Sequence, residues 1–185
     1  MKRRMLRGLF TTTVLATGLL ASSNAMAAVD MFLKIDNVTG ESQDDKHKGE
    51  IDVLAWSWGE SNGTGLTKRG TVKTACIQDL SLTKFIDSSS PTLIMNTMLG
   101  TVVPTAVLAI RKAGGSQPEF LTLTMKNVSI AAYSTGGSGG EDRLTDNVVL
   151  HFESMQGSYR KQKQDGSLDT EITWDISGGN SLGCR

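Results

Sequence analysis

The chain of 185 residues carries 19 basic and 19 acidic side chains and is formally neutral, and it is long enough for one domain with its own core. Its longest basic run, Arg160-Lys161 with Lys163 close by, is too thin for a nucleic-acid surface. No segment reaches the roughly 20 apolar residues that span a bilayer stably.

The chain opens on an export signal by its pattern. Lys2, Arg3, Arg4 and Arg7 precede a short apolar run from Leu9 to Leu20, and Ala25-Met26-Ala27 supplies a small-x-small cleavage site. An amphipathic N-terminal helix is the alternative, but the three parts come in the order a signal requires. Arg3-Arg4-Met5-Leu6-Arg7 fits a twin-arginine signal loosely. The expected division is therefore residues 1–27 as signal peptide and 28–185 as a single domain. Cleavage after Ala27 removes four basic residues and no acid, leaving 158 residues with 15 basic against 19 acidic side chains, a net charge of −4.

The remainder reads mostly as β-strand, because period-two alternation recurs between glycine-rich turns. Val29 to Ile35 is the first strand and Asp36 to Gly49 a polar loop. In the strand Glu50 to Trp58, Leu54, Trp56 and Trp58 share one face, and Ile51, Val53, Ala55 and Ser57 share the other. Both faces are apolar or small, which predicts a strand covered on both sides. Glu60 to Gly70 reads as a turn region, and Thr71 to Phe85 as a long strand that changes face near Gln78, at a bulge or bend.

One helix is expected over Pro91 to Leu99. Ser90 is placed as N-cap, Pro91 at the first helical position and Gly100 just past the end. Ile94, Met95, Met98 and Leu99 form a stripe expected to dock on a sheet or plug a barrel end. Thr105 to Lys112 and Glu119 to Ala132 form a hairpin around Ala113-Gly114-Gly115, and Ser134 to Gly140 is a Gly/Ser loop. Asn147 to Tyr159 and Thr170 to Ser177 are the last strands, joined across Gln164-Asp165-Gly166. Val148, Leu150, Phe152, Ile172, Trp174 and Ile176 are expected to face inward. The fold class is mainly β: an antiparallel β-barrel of two packed sheets, closed or nearly so, with one short α-helix.

No arrangement for chemistry emerges. His151 alternates with Leu150 and Phe152 and is expected to point outward. His47 sits among Asp44, Asp45, Lys46 and Lys48 and is expected to be solvated. No catalytic residue, metal-ligand spacing or cofactor motif is present. Gly136-Gly137-Ser138-Gly139-Gly140 lacks the Lys-Ser/Thr and following helix of a phosphate loop, and Glu141 and Asp142 read as salt-bridge partners of Arg143. Cys76 and Cys184 could pair within the chain, bridge neighbouring subunits or be unrelated thiols. An internal bridge would close a long loop worth about 4–5 kcal/mol in the chain-entropy picture.

Several long strings in order carry a specific resemblance. They are Val29-Asp30-Met31-Phe32-Leu33-Lys34-Ile35, Gly40-Glu41-Ser42, the stretch Glu50 to Gly59, Gln78-Asp79-Leu80-Ser81 with Thr83-Lys84, Ile110-Arg111-Lys112-Ala113-Gly114-Gly115, and Ser134 through Thr145. Over nearly all of the chain from Ala28 to about Trp174 this resembles the haemolysin-coregulated proteins, the tube subunits of bacterial type VI secretion. The resemblance implies a barrel assembled as a hexameric ring, with rings stacked into a hollow tube driven by a sheath behind a spike. Small effector proteins carried in the lumen are implied as partners.

In that frame Trp56 and Trp58 anchor the core, Ser57 lines the pore, and the loop Gly136, Gly137, Ser138, Gly139, Gly140, Glu141, Asp142 and Arg143 contacts the ring. The export signal departs from the family, as do the two cysteines. A true start at Met26 would remove the signal, and otherwise the product is exported to the periplasm or outside the cell. A second function class, an exported module of the same fold that holds small proteins or ligands without building tubes, follows from that departure.

Overall fold

The computed structural model describes residues 29–177 apart from 68–69, 114–117, 141 and 164–166; the expected signal segment 1–27 and Cys184 lie outside the described residues. In chain order the elements are β1 (Val29–Ile35), β2 (Ile51–Ser57), β3 (Glu60–Thr67), β4 (Gly70–Ile77), β5 (Leu80–Phe85), α1 (Ser90–Leu99), β6 (Val102–Lys112), β7 (Glu119–Gly136), β8 (Thr145–His151), β9 (Ser154–Gln162) and β10 (Leu168–Ser177).

Six strands, in the order β7-β6-β1-β2-β5-β8, close into an antiparallel barrel because β8 pairs back onto β7. Alternation supplies the core. Leu33, Ile51, Leu80, Leu108, Leu123, Met125, Val148 and Leu150 come from all six strands, and each is almost fully removed from water. Burying such side chains contributes about 1.5–3 kcal/mol each.

The 18 residues of β7 do two jobs. The first half pairs with β6 on one edge and β9 on the other, and the second half pairs with β8. The changeover falls at Asn127, whose φ is +51 degrees, in the left-handed region that Asn tolerates. Opposite it the expected strand Asn147 to Tyr159 breaks into β8 and β9, and the Glu153 N–H donates to the Lys126 carbonyl at 3.0 Å. β9 and β10 then extend the outer sheet beyond the barrel.

Other expectations are corrected. Glu60 to Thr67 is a strand paired residue by residue with β4; its Gly, Ser and Thr composition hid this because backbone pairing needs no apolar side chain. The long strand Thr71 to Phe85 breaks at Gln78-Asp79, where the face change was read. β7 runs on through Ser134 to Gly136, which were read as loop. Ile172 faces water, while Trp174 and Ile176 pack on the core.

The helix begins one residue early, with Ser89 as N-cap, and ends as expected at Gly100 in the left-handed conformation. Leu93 is its buried anchor, whereas Ile94, Met95, Met98 and Leu99, expected to dock, are exposed. The reason lies at the helix N-terminus. Ser90, expected to be the cap, is instead tied into the barrel: its Oγ donates to Asp146 Oδ2 at 2.5 Å and accepts from Lys84 Nζ at 2.9 Å. This rotates the helix so that Leu93 points inward.

Candidate functional site

β2 carries a register shift between Val53 and Ala55, which turns the strand over locally. Ile51 and Val53 point into the barrel, while Ala55 and Ser57 face out. The expected face of Ile51, Val53, Ala55 and Ser57 is therefore split between inside and outside. Trp56 and Trp58 pack against the core, in agreement with the sequence.

The shift places Ser57 at the end of a ladder across four strands. Ser57 pairs with Ser81, Ser81 with Val149, and Val149 with Ala132. The adjacent row is Ala55, Thr83, Asn147 and Ser134. These eight side chains are small and uncharged, and Thr83 Oγ1 donates to Asn147 Oδ1 at 2.8 Å. A shallow depression of about 430 Å³ lies over Ala55, Ser57, Ser81, Thr83 and Asn147. Such a wall offers hydrogen bonds and smooth contact without fixed charge.

Both edges of this four-stranded wall are open. β1 pairs with β2 only at Phe32↔Asp52 and Leu33↔Ile51, so β2 beyond Val53 has no second neighbour among the described strands. β6 pairs with β7 only as far as Val102↔Ser129, which frees the edge of β7 from Ile130 to Gly136. An unpaired edge is a template for another strand.

Behind the wall a buried polar cluster holds β5, β7, β8 and α1 together. Lys84 Nζ lies 2.7 Å from Asp87 Oδ1 and 3.0 Å from Asp146 Oδ2, and neither Lys84 nor Asp146 is exposed. Burial works to raise the Asp146 pKa, but hydrogen bonds from Ser90, Tyr133 and Lys84 outweigh it and hold the carboxyl below its ordinary value. Burial, and then the hydrogen bond with Asp146, push the Tyr133 hydroxyl up to about 12.

A second cluster corrects the reading of His47. It is buried, stacked on Phe32 with ring centroids 4.2 Å apart. The Arg111 guanidinium lies 4.7 Å above the same Phe32 ring and pairs with Asp30 and Asp44. Nδ1 of His47 meets Glu50 Oε2 at 2.8 Å. The partners of the buried ring are Glu50 and Glu119, not the neighbouring charges that suggested a solvated histidine, and local sequence gives no sign of the Phe32 stack. His151 is half-exposed and bonded to Asp79, on the outward side as expected.

The loop candidates Gly137, Ser138, Gly139, Gly140, Asp142 and Arg143 are exposed between β7 and β8, and Glu141 lies outside the described residues. Arg143 sits over the Phe85 ring at 3.9 Å. Cys76 is buried at the end of β4. Among the described residues no cluster of His, Cys, Asp and Glu is arranged to hold a metal, and no helix is long and apolar enough to cross a membrane.

A small barrel presenting an uncharged wall with two open edges is a building block for a larger β-lined assembly. A family model described as "Type VI secretion system effector, Hcp" matches residues 32–159. Protein hcp1 of Pseudomonas aeruginosa is 52% identical over 155 residues, covering 80% of this chain and 96% of that protein. The crystal structure of Hcp1 from Salmonella typhimurium is similar with a TM-score of 0.65 and 33% identity, over 82% of this chain and 95% of that one. The structure of a type six secretion system protein is similar with a TM-score of 0.73 at 29% identity, over 80% of this chain and 96% of that one. The chain belongs to the Hcp family, the tube proteins of type VI secretion.

Proposed function

We propose that six copies close side by side into a ring whose lumen is lined by the β2-β5-β8-β7 wall, and that stacked rings form the secretion tube. The open edges at β2 and β7 are the observation that carries this reading. The wall has an even number of strands, each antiparallel to the next, so its two outer strands run in opposite directions. The β7 edge of one copy can therefore pair antiparallel with the β2 edge of the next, a heterologous contact that closes on rotation. Ser57 then lines the pore, and the exposed residues Gly137 to Gly140, Asp142 and Arg143 supply a contact to a neighbouring ring. Spike, sheath and small effector proteins are the partners this role calls for.

Native mass spectrometry and electron microscopy of residues 28–185 test the reading. Six-membered rings are expected; a strict monomer at high concentration overturns it. In assembled rings, Ser57→Glu should abolish retention of a co-expressed effector while leaving the number of subunits in the ring unchanged.

The same reading includes export of residues 28–185 after cleavage at Ala27 and a bridge between Cys76 and Cys184. The N-terminal sequence and non-reducing intact mass of the native protein decide both. A start at Met26 overturns the first, and two titratable thiols overturn the second.

A further inference from the structure

We propose that Met95 and Met98 form the oxidant-reactive site of this chain, where peroxide converts the thioethers reversibly to sulfoxides and turns the outer face of α1 from apolar to polar. Five methionines follow the expected cleavage site: Met31, Met95, Met98, Met125 and Met155. The fold sorts them. Met125 and Met155 are 0% and 1% exposed and belong to the barrel core. Met31 is half-buried against that core. Met95 and Met98 are 51% and 75% exposed, and the core cluster includes neither.

Oxidation of a thioether requires the oxidant to reach the sulfur, so reactivity follows exposure. The anchoring of α1 decides which sulfurs are reachable. Ser90 is tied to Asp146 and Lys84, and Leu93 is buried, which leaves Met95 and Met98 on the water side. Side chains three apart share one face of a helix, so the two thioethers are neighbours. Ile94, Leu99 and Val102 are exposed beside them and offer peroxide nothing to oxidise. The result is an apolar patch whose polarity two sulfur atoms control.

In the reaction a sulfur lone pair attacks one peroxide oxygen, the S–O bond forms and the O–O bond breaks. The sulfur is oxidised to the sulfoxide, and the departing hydroxide takes the remaining proton and leaves as water. A sulfoxide in a core disrupts packing, whereas on this face it displaces no neighbour, so the barrel stands. Thiol-dependent methionine sulfoxide reductases reverse the change: the oxygen leaves as water and two thiols become a disulfide, with one enzyme for each sulfoxide epimer.

To test this, the purified full chain is treated with graded hydrogen peroxide and mapped by peptide mass spectrometry, with native mass spectrometry reporting its assembly. Met98 and Met95 are expected to take up oxygen about tenfold or more faster than Met125 and Met155, with Met31 between. Chains oxidised only at Met95 and Met98 should keep the parent melting temperature and bind less of the apolar dye bis-ANS. Both reductases with dithiothreitol should restore the parent mass. The variant Met95→Leu, Met98→Leu should lose the fast uptake and keep its dye binding under peroxide. Equal rates at all five positions, a lowered melting temperature after surface oxidation, or unchanged dye binding overturns the inference. So does protection of both side chains in assembled rings. The expected order holds for single copies too, so failure of the ring reading leaves this site standing.

Discussion

Lys84 of β5 and Asp146 of β8 meet at 3.0 Å with neither side chain exposed to water. The pair sits at the N-terminus of α1, where Ser90 Oγ bonds to both partners. Each ion has lost its hydration, and the geometry repays that only while the set is complete.

Removing one member should therefore be costly. Lys84→Met is expected to lose about 3–5 kcal/mol in guanidinium unfolding, because it leaves Asp146 and Asp87 buried without a cation, whereas Asp146→Leu should lose less because Lys84 keeps Asp87. The double variant Lys84→Met, Asp146→Leu should recover part of the Lys84→Met loss, with Asp87 still left without its cation. A double variant as unstable as the worse single one would show that the charges themselves, and not their mutual dependence, hold the site.

Acid should weaken the Arg111 cluster. The hydrogen bond from Arg111, opposed by burial, lowers the Asp44 pKa to about 2. A carboxyl depressed in the folded state stabilises fully above its unfolded value near 4 and loses that contribution as pH falls toward 2. Melting temperatures measured through this window should fall less steeply for Asp44→Asn than for the parent chain.

Alkali should act through Tyr133. Its folded pKa is pushed up to about 12, so the unfolded chain releases this proton first as pH passes about 10. The contribution is complete below pH 10 and lost between 10 and about 12. Tyr133→Phe should remove that segment of the stability profile.

Gly40 is held against the chain. A Cβ there would lie 2.3 Å from the Glu50 carbonyl oxygen and 2.8 Å from Ile51 Cα, and backbone cannot step aside as a side-chain tip can. Gly40→Ala is expected to cost about 1–3 kcal/mol, read as an earlier denaturation midpoint with unchanged slope.

Much of the barrel was legible because strands announce themselves through alternation. β1, β6 and the inward set Val148, Leu150 and Phe152 needed only period two. The Gly100 cap and Pro91 marked the helix through their own backbone preferences. The site was less legible. Ser57, Ser81 and Thr83 fall in strings that carry the resemblance, but nothing in the sequence joins them to Asn147 and Ala132; they become one surface only through register.

The residues by themselves determined the strand rhythm, the single helix and the long strings that tie this chain to a tube family. Local preferences and side-chain period act over a few residues, so they are written in the chain. Only the tertiary structure decided that β2 turns over at Val53, that His47 is buried on Phe32, and that the α1 stripe faces out. Each of those outcomes depends on a partner distant in sequence: Thr83 for Ala55, Phe32 for His47, Asp146 for Ser90. Burial is a property of the pair, and no single segment carries it.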